Sequence, residues 1–315
     1  MVPEVPLTET NPCILLFDDI WPILEKLNEL YASDLAEPLC RIFKNCIISY
    51  DQHLIKMAPL LTSITANSYQ KYRRSCYLWL SSYIIRKYLK NAEDKSSFLV
   101  MIEKICVETF SIFRSSADMD KDPDVVDDFL RLIISCFETM PMIIFGTPFF
   151  KNICTFSLHG LLCFHKDSLD SSLFFFRDLL WTSLNRKKIV DPVFENVRGI
   201  SINFFSDFAN ILITSLIRGI VGTSSGLIYP GALYNVASEI LNCLAELIGH
   251  ELFFRYLSQA LNSTDVPLLD DQKNRLLNEV GISIQQKRPE KIRYGLAALS
   301  SSIRNRIAHP HKSEN

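Results

Sequence analysis

The sequence predicts an all-α protein of the α-solenoid kind, and three observations carry that reading. Apolar residues recur at i, i+3 and i+4 through segment after segment. The segments pair off, and the pairs recur about every 35–50 residues, each too small to bury its apolar face alone. Strand signals do not compete: the 315 residues hold no sustained period-two alternation and no Asn-Gly or Asp-Gly hairpin turn. Stacked helix pairs usually present an extended surface to another macromolecule, which points to a binding protein and not to an enzyme.

Punctuation along the chain sets the elements. Helices are predicted over 14–31, 34–49, 52–67, 70–90, 95–116, 123–140, 148–165, 168–185, 192–220, 231–248, 250–262, 267–282 and 289–308. The first carries Leu15, Leu16, Phe17, Ile20, Trp21, Ile23, Leu24 and Leu27 and shows no polar cap, although terminal repeats normally carry one. It therefore reads as an orphan, the second member of a pair, with about six complete pairs after it. On this reading 14–308 is one solenoid between a flexible segment at 1–13 and a flexible tail at 309–315, and the chain is the C-terminal part of a longer array.

Start signals agree. Asp122-Pro123 and Asp191-Pro192 each place an acceptor before a proline that needs no donor in the first helical turn. Asp34 with Glu37 is a weaker, capping-box type of start. Breaks fall at 91–95, 146–148, 222–226, Tyr229-Pro230-Gly231, and around Pro267 and Pro289. Ala237, Ile240, Leu241, Leu244, Ala245 and Ile248 form one apolar stripe. Leu169, Leu173, Phe176, Leu180 and Leu184 form another, which Phe174, Phe175 and Trp181 widen, so that helix is expected to have neighbours on more than one side.

Composition narrows the function. Apolar residues make up 48% of the chain and glycines number only ten, which suits a folded protein. A formal charge of −2 argues against a general nucleic-acid binder, so any polyanion contact is local. Nine cysteines, never spaced as C-x-x-C, read as buried thiols of a reducing compartment and not as disulfides or zinc ligands. The N-terminus has no secretory signal pattern. Residues 141–165 and 200–221 are apolar but carry Pro148 and Lys151, and Asp207 and Arg218, so they read as buried helices without membrane insertion.

Sites of chemistry are weakly signalled. Cys154, His159, Cys163 and His165 lie along one predicted helix and do not converge as zinc ligands, and no cysteine has a nucleophile turn. Gly219, Gly222 and Gly226 match neither nucleotide fingerprint, so no cofactor is expected. The acidic run Asp118, Asp120, Asp122, Asp124, Asp127 and Asp128 lacks the glycine and terminal glutamate of a calcium loop, and is read as helix-start and loop carboxylates. Arg304, Arg306, His309 and His311 make a basic, exposed end.

Several stretches resemble a known family. They are Ile20-Trp21-Pro22-Ile23-Leu24; Arg74-Ser75-Cys76-Tyr77-Leu78-Trp79-Leu80; Asp122-Pro123-Asp124-Val125-Val126-Asp127-Asp128-Phe129; Phe176-Arg177-Asp178-Leu179-Leu180; and the run from Tyr229-Pro230 to Ile248. In order and spacing they resemble the importin-beta superfamily of nuclear transport receptors, in its transportin-SR and importin-13 branch. The resemblance implies an α-solenoid of HEAT-type antiparallel helix pairs and non-catalytic import of cargo proteins. It also implies nucleoporin partners and shuttling between nucleus and cytoplasm. Ran-GTP contacts in that family lie in N-terminal repeats that have no counterpart here.

The resemblance further implies an arginine-rich helix that holds phosphorylated Arg-Ser segments, since guanidinium forks suit phosphate oxygens. The matching helix, 34–49, offers Arg41 and Lys44, while Pro38, Ile47 and Ile48 stand where the family has further basic residues. Lys71, Arg73 and Arg74, placed at the start of the next repeat's first helix, extend the candidate cargo-binding set. The alternative is a helical-repeat scaffold of a multiprotein complex with no part in nuclear transport.

Overall fold

The computed structural model describes residues 12–286, 288 and 290–308, all helix, turn or loop, with no strand among them. The flexible segments expected at 1–13 and 309–315, and the break at Pro289, fall wholly or largely outside these residues, as do His309 and His311. By packing, the chain divides after Phe156 into two compact units.

The first unit opens on α1 (Pro12–Tyr50), whose helical backbone is broken at Tyr31 (φ −127°, ψ 17°). The two halves fold back on each other: Phe17 meets Tyr50 with ring centres 5.9 Å apart, and Trp21 meets Phe43 at 5.6 Å. The first helix is thus not an orphan but the first member of a pair. Phe17, Trp21 and Leu24 turn inward, whereas Leu15, Leu16 and Ile23 remain exposed. A 3-10 turn (Asp51–Met57) leads to α2 (Ala58–Tyr72). Then come α3 (Ser75–Ile84), prolonged by a π-helical turn (Ile85–Leu89), α4 (Ser96–Ile112), α5 (Ser116–Met119), α6 (Pro123–Thr139), α7 (Met142–Phe145) and α8 (Phe150–Gly160).

These helices form two layers. Residues 12–30, α2 and α4 make one; residues 32–50, α3 and α6 make the other. Buried polar ties cross the first layer and join it to the second, where large side chains need partners for their polar ends. Asn28 donates to Ser68 at 2.7 Å and accepts from the Tyr77 hydroxyl at 2.9 Å; Tyr69 and Thr109 share a hydroxyl bond of 2.9 Å. Cys40 and Cys76 are both buried thiols where α1 packs on α3. The break predicted between 67 and 70 falls instead at Arg73-Arg74. Arg73 holds a left-handed backbone (φ 55°) and closes α2 by donating its N–H to the Tyr69 carbonyl. That role usually goes to glycine or asparagine, so this turn has no signal in the sequence.

The second unit contains α9 (Lys166–Ser183), α10 (Val193–Val221), a 3-10 turn (Gly231–Leu233), α11 (Tyr234–Ile248), α12 (His250–Asn262), α13 (Asp270–Gln286) and α14 (Glu290–Ala308). Among the described residues α10 is the one helix long and apolar enough to cross a membrane. It packs on α11 and α12, with Phe205, Leu212, Leu216 and Ile220 fully buried. The α11 stripe is buried from Ala237 to Ala245. On α9 Leu169, Leu173, Phe175, Phe176 and Leu180 are buried, but Leu184, just past the helix, is only partly so and Phe174 and Trp181 are more than a third exposed, so the wide apolar surface expected there is only partly covered.

Tyr229 pins this unit together. Its ring is fully buried, its hydroxyl donates to the Leu161 carbonyl at 2.8 Å, and its N–H donates to the Gly219 carbonyl at 2.7 Å. Arg304 donates to the Tyr229 carbonyl at 3.1 Å. The close approach requires glycine at 219, since a Cβ there would lie 2.1 Å from the Tyr229 ring. Gly219→Ala should therefore displace a buried tyrosine and cost about 3 kcal/mol or more. Chemical denaturation should show the loss, and Gly199→Ala, which meets nothing within 4 Å, should leave the midpoint unchanged or raise it.

Candidate functional site

The five candidate basic residues do not form one patch. Arg41 and Lys44 lie on the second half of α1 and line a cleft of about 520 Å³ with Glu37, Trp79, Tyr83 and Asp128. The cleft crosses three successive helices of one layer, since Trp79 and Tyr83 belong to α3 and Asp128 to α6. Lys71 sits in the last turn of α2, Arg73 in the following turn, and Arg74 immediately before α3. Lys71 lines a different cleft, of about 610 Å³, with Glu25, Glu29 and Tyr72. The placement of Lys71, Arg73 and Arg74 at the start of a first helix is corrected accordingly: they mark the end of one helix and its turn into the next.

Each cation has an intramolecular engagement that a ligand would have to replace or share. Arg41 pairs with Glu37 at 2.7 Å one helical turn away, with both side chains well exposed, so the pair contributes little to stability. Glu37 thus serves Arg41 instead of closing a capping box with Asp34. The Lys44 ammonium stands 4.5 Å from the centre of the Tyr83 ring and 5.7 Å from that of Trp79. These rings meet edge to face at 6.2 Å. Tyr83 also carries the Arg86 guanidinium at 5.5 Å. Arg73 is held by Glu108 on α4 at 2.8 Å, and Lys71 lies over the Tyr72 ring at 4.9 Å.

The sequence reading missed the aromatic part of this cleft. Trp79 and Tyr83 are spaced i, i+4 and so share a helix face, which is a visible signal. What the spacing does not show is that Lys44, from another helix, stacks on that face. Asp128 was read only as part of an acidic run. Elsewhere in that run Asp118 accepts from Ser115 and Lys121, and Asp127 pairs with Arg131 at 2.8 Å. Asp122 leaves its side chain out of the helix cap, whereas Asp191 accepts from the Val193 N–H at 2.9 Å.

The other candidates separate as well. His165 accepts from the Asp167 N–H at the start of α9, and Cys154 and Cys163 are buried. Among the described residues no group of three His, Cys, Asp or Glu side chains could hold a metal ion. The cleft contains no nucleophile paired with a base and offers surface recognition through charge and aromatic faces.

Asp128 gives the cleft a titration near neutrality. Burial, reinforced by Asp127 and opposed by Arg131 and a bond to Ser75, pushes its carboxyl up to about 7, well above the usual carboxylate range. A carboxyl raised in the folded state binds its proton more tightly there than in the unfolded chain, so stability is lost as pH rises from about 4 through 7. The full shift corresponds to ~4 kcal/mol, and partial exposure brings this to about 2 kcal/mol. Asp128→Asn should remove that dependence, raising the melting temperature at pH 8 and changing it little at pH 4.5.

Comparison with known proteins places this geometry. Residues 11–113 match the family model of the transportin-3/importin-13 fourth TPR domain. An uncharacterized protein of Schizosaccharomyces pombe is 22% identical over 98% of this chain and 33% of its own length. Transportin MOS14 of Arabidopsis thaliana is 25% identical over 54% of this chain and 18% of its own. Among solved structures, importin-13 in its cytosolic state superposes with a TM-score of 0.74 at 14% identity, over 94% of this chain and 32% of that one, a likeness of fold. The chain therefore spans about a third or less of each of these relatives. Among the described residues the architecture is all helical, and over residues 11–113 the chain is similar to the fourth TPR domain of transportin-3 and importin-13.

Proposed function

We propose that this chain is the C-terminal, cargo-binding portion of a nuclear import receptor of the transportin-SR/importin-13 type, working by protein–protein binding without catalysis. The observation that carries the reading is the cleft across residues 32–50, α3 and α6, where Lys44 stands over the rings of Tyr83 and Trp79 and Arg41 lines the same cleft. Both cations are within reach of solvent, and their present partners are ones that an incoming acidic or phosphorylated group would replace. The cargo is a protein with an Arg-Ser-rich or similarly modified segment. Nucleoporins are the further partners, and Ran-GTP is engaged through repeats outside this chain. Such a receptor shuttles between nucleus and cytoplasm.

Binding of an Arg-Ser peptide, phosphorylated and unphosphorylated, tests the proposal by fluorescence anisotropy. Arg41→Ala with Lys44→Ala should weaken the phosphorylated peptide by about tenfold and flatten its salt dependence. Lys71→Ala with Arg73→Ala and Arg74→Ala, on the other layer and its turn, should change the affinity by less than about threefold. Equal affinities for both peptides, or indifference to the first pair of substitutions, would remove this cleft from cargo recognition.

A further inference from the structure

The first helix pair is covered on one side only. Helices α2 and α3 pack on α1, and Asn28 faces them through Ser68 and Tyr77. About a third of a turn round the helix from Asn28 runs a second apolar stripe, made by Leu16, Ile20, Ile23, Leu27 and Leu30. Leu16 and Ile23 are 60% exposed and Leu30 59%, while Ile20 and Leu27 are half-buried. On the second half of α1, Leu35 and Ile42 are likewise exposed, and they lie nearly opposite Cys40, where that helix meets α3. Helix α2, by contrast, has a neighbour on each side in its layer, α1 and α4.

The stripe advances by four, three, four and three residues, the alternation of a helix–helix seam. It is also nearly symmetric about Ile23. Leu16 and Leu30 stand seven residues to either side, with Ile20 three before and Leu27 four after. Turned end for end, the stripe matches itself: Ile23 meets Ile23, Leu16 meets Leu30, and Ile20 meets Leu27. Charges agree with this self-match. Asp19 and Lys26 flank the stripe on one edge, both exposed, and neither has an ion pair within the described residues. In an antiparallel pair of helices the same edges face each other, so Asp19 of one copy falls beside Lys26 of the other, and the contact occurs twice. Asp18, Glu25 and Glu29 lie further round the helix, away from the seam.

We infer that this face binds a second copy of the chain about a two-fold axis near Ile23, with the first helices antiparallel along the stripe and Asp19 of each copy paired with Lys26 of the other. A closed two-fold contact needs a self-complementary patch, and the spacing and the charges of this one both meet that condition. A foreign amphipathic helix could cover the apolar residues, but it would give no reason for the opposite charges to stand seven residues apart on one edge. The inference does not rest on the import reading, and it leaves the Lys44 cleft, which opens toward α3, uncovered.

Sedimentation equilibrium of the whole chain, from about 1 to 100 µM, tests it. The apparent mass should rise from 36.1 kDa toward twice that value. Ile23→Asp, at an exposed position, should weaken the association by about tenfold or more without changing the helical circular dichroism. Asp19→Lys and Lys26→Asp should each weaken self-association, because like charges then meet, whereas an equimolar mixture of these two variants should dimerise at least as tightly as the unaltered chain. A single 36.1 kDa species over the whole range would overturn the proposal and leave the stripe to a helix of a different protein. A dimer that Ile23→Asp leaves intact, or a mixture no tighter than either charge variant alone, would overturn it as well. Should Ile23→Asp disturb the fold, the mixture of charge variants decides.

Discussion

Helices α2 and α3 have more apolar surface than one partner covers, and the excess is buried on the next pair along. In the first unit α2 packs on both α3 and α4, and α3 packs on α1, α2 and α6. Burying one large apolar side chain stabilises by about 1.5–3 kcal/mol, so the contact between successive pairs outweighs what any isolated helix could contribute through propensity. The same constraint explains the buried tyrosines. Tyr69, Tyr77, Tyr88 and Tyr229 fill interior volume, and each hydroxyl finds a partner on another segment of the chain. They fix which residues face each other where apolar contact alone would not.

Once the pairs are stacked in this way, equivalent helices from successive pairs lie side by side, and clefts open between their exposed faces. The Lys44 cleft arises there, with walls from three helices far apart in sequence. Its electrostatic character is mixed. Arg41 and Glu37 cancel, Lys44 is spread over aromatic rings, and Asp128 exchanges its proton near neutrality. Such a surface discriminates by where a partner's charges fall more than by their sum.

The periodicity of apolar residues was sufficient to reveal the helices, and Asp-Pro and glycine-rich punctuation located the starts of α6 and α10 and the bends near Gly222 and Pro230. It did not reveal how the first helices pair. That depends on a break at Tyr31 and on a left-handed Arg73, neither of which has the residue type such turns favour. The register of the pairs shifted as a result, and Lys71, Arg73 and Arg74 moved from a supposed helix start to an end and a turn. Within the site, cations were legible as charges. Their neighbours were not, because Trp79, Tyr83 and Asp128 reach Lys44 only through tertiary packing, a relation that one-dimensional spacing cannot encode.

Many hydroxyls buried between these helices bond back within their own helix. Ser81, Ser82 and Ser172 each donate to the carbonyl four residues earlier. A hydroxyl satisfied in this way makes no directional demand on the facing helix. Directional ties between segments are then left to a smaller set of side chains, Asn28 with Ser68, Tyr69 with Thr109 and Ser183 with Ser201 among them, and these decide the register that interdigitating apolar groups alone would leave open.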